Sequence, residues 1–308
     1  MCLLIRFRFL QKAINHKRIS EHAASTDTLT LLKNLELIND KGEFLLAALL
    51  LFGKRPKKYA PAAYFKIGRF GKSPSDLLYQ DIVEGNILDM ADTVMEILNK
   101  KYLIRPISYE GLLRKEPLEY PEKALREAIL NAIIHKDYYG TTIFLSIYDD
   151  RINIWNPGKL PDTLTVEQLK LQHRSVPRNR LIADVFFKAG YIEAWGRGIN
   201  LMIEECQTYN IPDPIIAEEQ DGISVTLLKD ICTVEYLRTL KLNERQIKAI
   251  LYIKEHHSIT NTLYQTLNNL GKSISTVELQ ALLDKKLIEK IGTTGRGTKY
   301  VLPHRKGQ

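Results

Sequence analysis

One segment constrains this chain more than any other: the run from Pro121 to Tyr138. Glu127, Asn131 and His135 recur every fourth residue, so they share one face of a helix. Leu125, Ala128, Ile129, Ala132 and Ile133 form an apolar stripe beside them. A carboxylate, a carboxamide and an imidazole lined up along a buried stripe cost desolvation free energy. A bound metal–nucleotide is one reason to keep them there. The local alternative stays open: Glu127 as a surface charge, Asn131 as a satisfied core amide, and His135 with Asp137 closing the helix C-terminus.

Around this helix the patterning predicts three regions. Residues 1–118 form an N-terminal α/β region: helices over 28–38 and 43–52, a strand over 61–70 and an amphipathic helix over 81–100. Residues 119–230 continue with strands over 141–148 and 151–155 and a loop at Asn156-Pro157-Gly158-Lys159-Leu160-Pro161. A helix over 178–189, a glycine-bearing loop at 190–198, a helix to about Tyr209 and a strand over 223–228 follow. The expected class is α/β (α+β), with a mixed or antiparallel sheet and helices on one face. Gly68-Arg69-Phe70-Gly71-Lys72-Ser73 imitates a phosphate-binding P-loop, but Lys66 stands where that motif needs its first glycine. Pro74 also delays any helix whose N-terminus could cradle phosphate.

Four motifs in order carry a resemblance: Glu127-x-x-x-Asn131-Ala-x-x-His135-x-Asp137-Tyr138, Asn156-Pro157-Gly158-x-Leu160-Pro161, Arg178-Asn179, and Glu193-x-Trp195-Gly196-Arg197-Gly198-Ile199. Over residues 30–305 the chain resembles bacterial transcriptional regulators with a GHKL-type ATP-binding domain, the family labelled ATP-dependent DNA helicase RecG-like C-terminal. The resemblance implies a GHKL-like sheet that binds ATP and Mg²⁺. It places Asn131 as a metal ligand through its carbonyl oxygen and Glu127 as the catalytic base if hydrolysis occurs. His135, Asn156, Gly158, Gly196, Arg197 and Gly198 would contact the nucleotide. Asn156 replaces the aspartate that reads the adenine amino group in such folds, which counts against hydrolysis more than against binding. Trp195 fits a packing anchor better than an adenine stacker. Members commonly begin with a Schlafen-type AlbA-like domain. No equivalent is recognisable here, so a truncated gene product or a shortened relative is expected.

Residues 235–308 predict three short helices, at 244–255, 262–267 and 273–286, then a hairpin over 287–302 with a glycine-rich tip. This looks like a winged helix-turn-helix. Its third helix, with Ile274, Val277, Leu279, Leu282 and Leu283 as the apolar set, would offer Lys272, Ser273, Ser275, Thr276 and Gln280 to a major groove. Arg296 and Lys299 on the wing would meet phosphate. Residues 231–308 hold 13 Lys and Arg against 6 Asp and Glu, a net of +7 out of the whole chain's +8, as a polyanion-binding module requires. The same fold could instead hold proteins together.

Cys2, Cys206 and Cys232 are too few and too scattered for a disulfide framework. No apolar run approaches the ~20 residues of a membrane span. The resulting expectation is a cytoplasmic, homo-oligomeric, DNA-binding transcriptional regulator with a nucleotide-binding domain. Two rivals stand beside it: a slow ATPase acting near DNA, and a protein-interaction module with a degenerate nucleotide site.

Overall fold

Capping and alternation account for the elements that the computed structural model shows. It describes residues 3–71, 73–103, 108–110, 113–115, 118–162, 164–171, 176–193, 196–209, 211–229, 232, 234–292 and 297–303. The chain divides into two compact units, Met1–Thr208 with Asp213–Leu227, and Tyr209–Pro212 with Leu228–Gln308.

The first unit opens with α1 (Leu3–Asn15), a helix that buries Ile5, Phe9, Leu10 and Ala13. α2 (Thr28–Asn34) starts at Asp27, whose carboxylate accepts from the amides of Leu29 and Thr30. α3 (Leu46–Phe52) follows. β1 (Phe65–Phe70) and β2 (Leu77–Val83) then pair antiparallel. The helix expected from residue 81 therefore starts later. Asp81 and Ile82 lie in β2, and Asn86 caps α4 (Ile87–Ile97) by accepting from the Asp89 amide. The P-loop imitation begins within β1, and beyond the strand the Gly71 amide donates to the Asp76 carbonyl at 2.8 Å. It has no helix behind it.

A short antiparallel pair, β3 (Ser108–Glu110) and β4 (Leu113–Lys115), precedes α5 (Glu122–His135). β5 (Ile143–Ile147) and β6 (Arg151–Pro157) are followed by α6 (Val166–Leu169), α7 (Arg180–Lys188) and α8 (Gly198–Thr208). β7 (Ile215–Glu219), which periodicity missed, and β8 (Gly222–Leu228) complete a six-stranded mixed sheet in the order β2-β1-β5-β6-β8-β7. The β1–β5 pairing is parallel. Residues expected to form a separate N-terminal region thus supply two strands of the same sheet, and the boundary expected at 118/119 falls inside one unit. The architecture is the α+β class expected, a GHKL-like sheet.

Strand alternation sorts the sheet's faces. Ile143, Leu145, Ile147, Ile152 and Ile154 are buried. α5 packs against β6, α7 and α8, bringing Leu125, Ala128, Ile129, Ala132 and Ile133 into the core. Phe144 and Trp155 pair across β5–β6 on the opposite face, where Phe144 is exposed.

The second unit holds α9 (Val234–Thr239), α10 (Glu244–His256), α11 (Asn261–Asn268) and α12 (Lys272–Asp284). A hairpin of β9 (Glu289–Ile291) and β10 (Lys299–Val301) follows. Asn243 and Gln246 form a capping box at α10, and the Thr260 hydroxyl caps α11. Ile259 exchanges both backbone hydrogen bonds with Tyr300, at 2.9 and 2.8 Å, and so ties the hairpin to the start of α11. The core contains Leu237, Ile247, Ile250, Ile253, Tyr264, Leu279, Leu282 and Ile288.

Candidate functional site

In the first unit, α5 presents Glu127, Asn131 and His135 to a cavity of about 400 Å³. Asn156, Gly158, Lys159, Leu160 and Pro161 line it from the end of β6 onward. Pro177 and Arg178 line it ahead of α7, and Gly196, Arg197 and Gly198 line it at the start of α8. Ile154, Ile216, Ile223 and Val225 supply an apolar floor from the sheet. Three separate loops thus open at one face of α5.

The Asn131 amide hydrogen-bonds the Glu127 carboxylate. Since a carboxylate only accepts, Asn131 donates through its NH₂, which leaves its carbonyl oxygen as the acceptor. Burial raises the Glu127 pKa above the usual glutamate value, with the Arg126 charge and the Asn131 hydrogen bond working against the rise. Glu127 is therefore only partly a surface charge. Its neighbour across the cavity is the backbone of Gly198, where a Cβ would lie 2.0 Å from Glu127 Oε1. The absence of a side chain there lets the α8 N-terminus, with its unpaired amides, approach the carboxylate.

Asn156 is buried at the end of β6, where its Nδ2 makes one long bond to the Pro157 carbonyl, at 3.3 Å. Gly158 has a φ of +119°, a conformation open to glycine at little cost. Its amide donates to the Asp221 carbonyl at 3.0 Å, and a Cβ would lie 2.9 Å from Arg178 Nε. Arg178 in turn donates to the Lys159 carbonyl at 2.7 Å. Arg197 is exposed at the rim, and Trp195 lies outside the described residues.

Two residues matter in ways the sequence reading missed. Asn179 Nδ2 donates to the carbonyls of Ile134 and Lys136, both at 2.8 Å. It thereby satisfies the C-terminal end of α5, so the Arg178-Asn179 motif is in part a clamp on the helix that carries the site. Lys136 is 1% exposed. Its ammonium donates to the Asp137 carbonyl at 3.0 Å and to the Thr141 carbonyl. Burial pulls its pKa down to about 8, opposed by the Asp137 charge. An i-to-i+4 helix pattern could not show either role, because both depend on turns that follow the helix.

The donors fit a magnesium-bound nucleotide in kind. Among the described residues no group of three His, Cys, Asp or Glu could hold a metal ion. A cation here would be one that brings water and phosphate as most of its ligands and takes one or two oxygens from protein, as Mg²⁺ does. The Asn131 carbonyl is such an oxygen, and the α8 N-terminus is the kind of helix end that favours an anion.

Residues 140–227 match the family model described as "Putative ATP-dependent DNA helicase recG C-terminal". The match supports kinship with that family and a nucleotide-binding or ATPase-type domain. It covers the loop and glycine motifs, while α5 lies just before it. The solved structure of the DIP2311 protein from Corynebacterium diphtheriae has the same fold over 96% of this chain, with a TM-score of 0.58 and 21% identity. The chain spans 61% of that protein's length. None of the curated proteins compared with the chain matches it.

In the second unit, Lys272, Ser273, Thr276 and Gln280 are exposed on α12, and Lys299 is exposed on β10. Arg296 lies outside the described residues. Ser275 is a correction: it is fully buried and donates to the Gly271 carbonyl at 3.0 Å, so it cannot reach a groove. Ile274 and Val277, expected inside, are 51% and 68% exposed. The cause is Glu278, which accepts from Asn243 at 2.9 Å, from Arg245 and from the Tyr264 hydroxyl at 2.6 Å. The Arg245 hydrogen bond holds the Glu278 carboxyl below its usual pKa, against the desolvation that would raise it. This network turns Ser275 and Glu278 inward and the two aliphatic residues outward.

The thiols of Cys206 and Cys232 are buried, one in each unit, with burial pushing their pKa values up to about 12 and about 11. Cys2 lies outside the described residues. No helix among the described residues is long and apolar enough to cross a membrane.

Proposed function

We propose that the protein is a DNA-binding transcriptional regulator whose first unit binds an adenine nucleotide with Mg²⁺ and whose second unit is a winged helix. The observation that carries this reading is the convergence of Glu127, Asn131, Asn156 and the Gly196–Gly198 loop on one cavity. Asn131 would hold the metal through its carbonyl oxygen. The α8 N-terminus and Arg197 would hold phosphate, and Asn156 and Gly158 would face the base. His135, at the cavity edge, would contact the same ligand. The bound metal would neutralise phosphate charge. Asn156 accepts a hydrogen bond more weakly than a carboxylate does, so binding is weak and turnover slow or absent. Lys272 and Lys299, with Arg296, would meet DNA phosphates, and a homo-oligomer would place two copies on neighbouring half-sites.

One observation favours a second reading, a slow ATPase. Burial raises the proton affinity of Glu127, which suits a general base. Calorimetric titration of the full chain with Mg²⁺–ATP, together with phosphate release by wild type and Glu127→Gln, separates the readings. Binding without release supports the regulator, and release abolished by Glu127→Gln supports the ATPase. No binding at millimolar ATP leaves an interaction module with a degenerate site.

A further inference from the structure

The outward face of α12 offers little to hydrogen-bond a base edge. Ser275 is inside. The Thr276 hydroxyl donates to the Lys272 carbonyl at 2.8 Å and accepts from Asn261 Nδ2 at 3.1 Å. Gln280 Nε2 is held by Asp284 Oδ1 at 2.9 Å. Beyond Lys272 and Ser273, exposed in the first turn, the face is aliphatic: Ile274, 51% exposed, and Val277, 68% exposed. They are three residues apart and form one ridge. Both are β-branched, with stiff side chains, and the core needs neither, because Leu279 and Leu282 fill it from the other side of the helix.

We infer that Ile274 and Val277 read thymine methyl groups in the major groove of duplex DNA. The inference rests on the DNA-binding reading above. Thymine is the only base that puts an apolar group, its C5 methyl, into that groove. The two side chains are about 4.5 Å apart along the helix axis, a little over one base-pair step of ~3.4 Å, so they meet neighbouring base pairs. The ridge sits beside the exposed Lys272 on a segment with a net charge of +7. This charge complements a phosphate backbone rather than an apolar protein surface. Specificity on this face comes from methyl contact, with the polar side chains positioning the helix.

The test selects tight duplexes for the full chain from a library with a randomised central segment, then remakes the best one with uracil in place of thymine. That exchange deletes the C5 methyls and leaves base pairing intact. Affinity is expected to fall about fourfold for each methyl contacted, the equilibrium factor of one buried methyl. Ile274→Ser and Val277→Ser are expected to lose that discrimination. Both positions are exposed, so the serine variants keep the fold, which thermal melts verify. Equal wild-type affinity for the thymine and uracil duplexes overturns the inference and leaves the DNA-binding reading standing. No binding to any duplex overturns both. If Val277→Ser abolishes self-association without changing DNA affinity, the ridge is a protein contact and the inference falls.

Discussion

The backbone of Gly198, first residue of α8, stands against the carboxylate of Glu127 on α5, so close that a methyl group on Gly198 would lie 2.0 Å from Oε1. This contact joins the glycine loop to the polar face of α5. Gly198→Ala must push the Glu127 side chain aside. Its far end is flexible, so the fold survives and thermal stability changes little. Nucleotide affinity is expected to fall by about tenfold, roughly 1.4 kcal/mol, when measured calorimetrically. Unchanged affinity would mean that the α8 N-terminus takes no part in binding.

Asn131→Ala removes the amide that hydrogen-bonds Glu127 and the oxygen assigned to the metal. Titrations of nucleotide with and without Mg²⁺ should then coincide, whereas the wild type should bind more tightly with the ion. A variant that keeps its Mg²⁺ dependence would place the metal elsewhere.

Asn179→Ala leaves the Ile134 and Lys136 carbonyls without their shared donor. The expected loss is about 1–3 kcal/mol of folding stability, read from urea unfolding as a shifted midpoint with unchanged slope. A loss confined to nucleotide binding, with stability intact, would contradict the clamp.

Lys136 gives a pH signature. Its folded pKa, about 8, lies below the ordinary 10.5, so between those values the unfolded chain binds more protons. Stability therefore rises as pH increases through this window, and the cost of burying the charge is fully present below pH 8. Relative to Lys136→Met, the wild type should gain at most about 3 kcal/mol across the window. Parallel stability curves for the two proteins would show that the carbonyl partners at Asp137 and Thr141 compensate fully for burial.

Lys299→Ala tests the hairpin of the second unit. As a phosphate contact, Lys299 should weaken binding to all duplexes alike and lower the salt slope by about one. A sequence-selective loss in a gel-shift series would instead assign it to base contact.

Much of the site was legible from local spacing. The four-residue recurrence of Glu127, Asn131 and His135 and the stripe of Leu125, Ala128, Ile129, Ala132 and Ile133 belong to one helix, and a helix's faces follow from its own period. The same holds for the Asn243 cap. These are contacts between near neighbours in the chain, which short-range geometry decides.

Tertiary structure decided what depends on distant partners. Only the parallel pairing of β1 with β5 showed that residues 1–118 are not a separate region, since strand pairing leaves no trace in either strand's own pattern. In the sequence Asn179 is only half of the Arg178-Asn179 motif; the fold places its amide on the end of α5. The apolar period of α12 favoured Ile274 and Val277 as core. A carboxylate that finds Arg245, Asn243 and Tyr264 can be buried at acceptable cost, and it carried Ser275 inward and turned those two residues out. Local sequence sets which faces a helix has; the partners waiting in the folded chain set which face is buried.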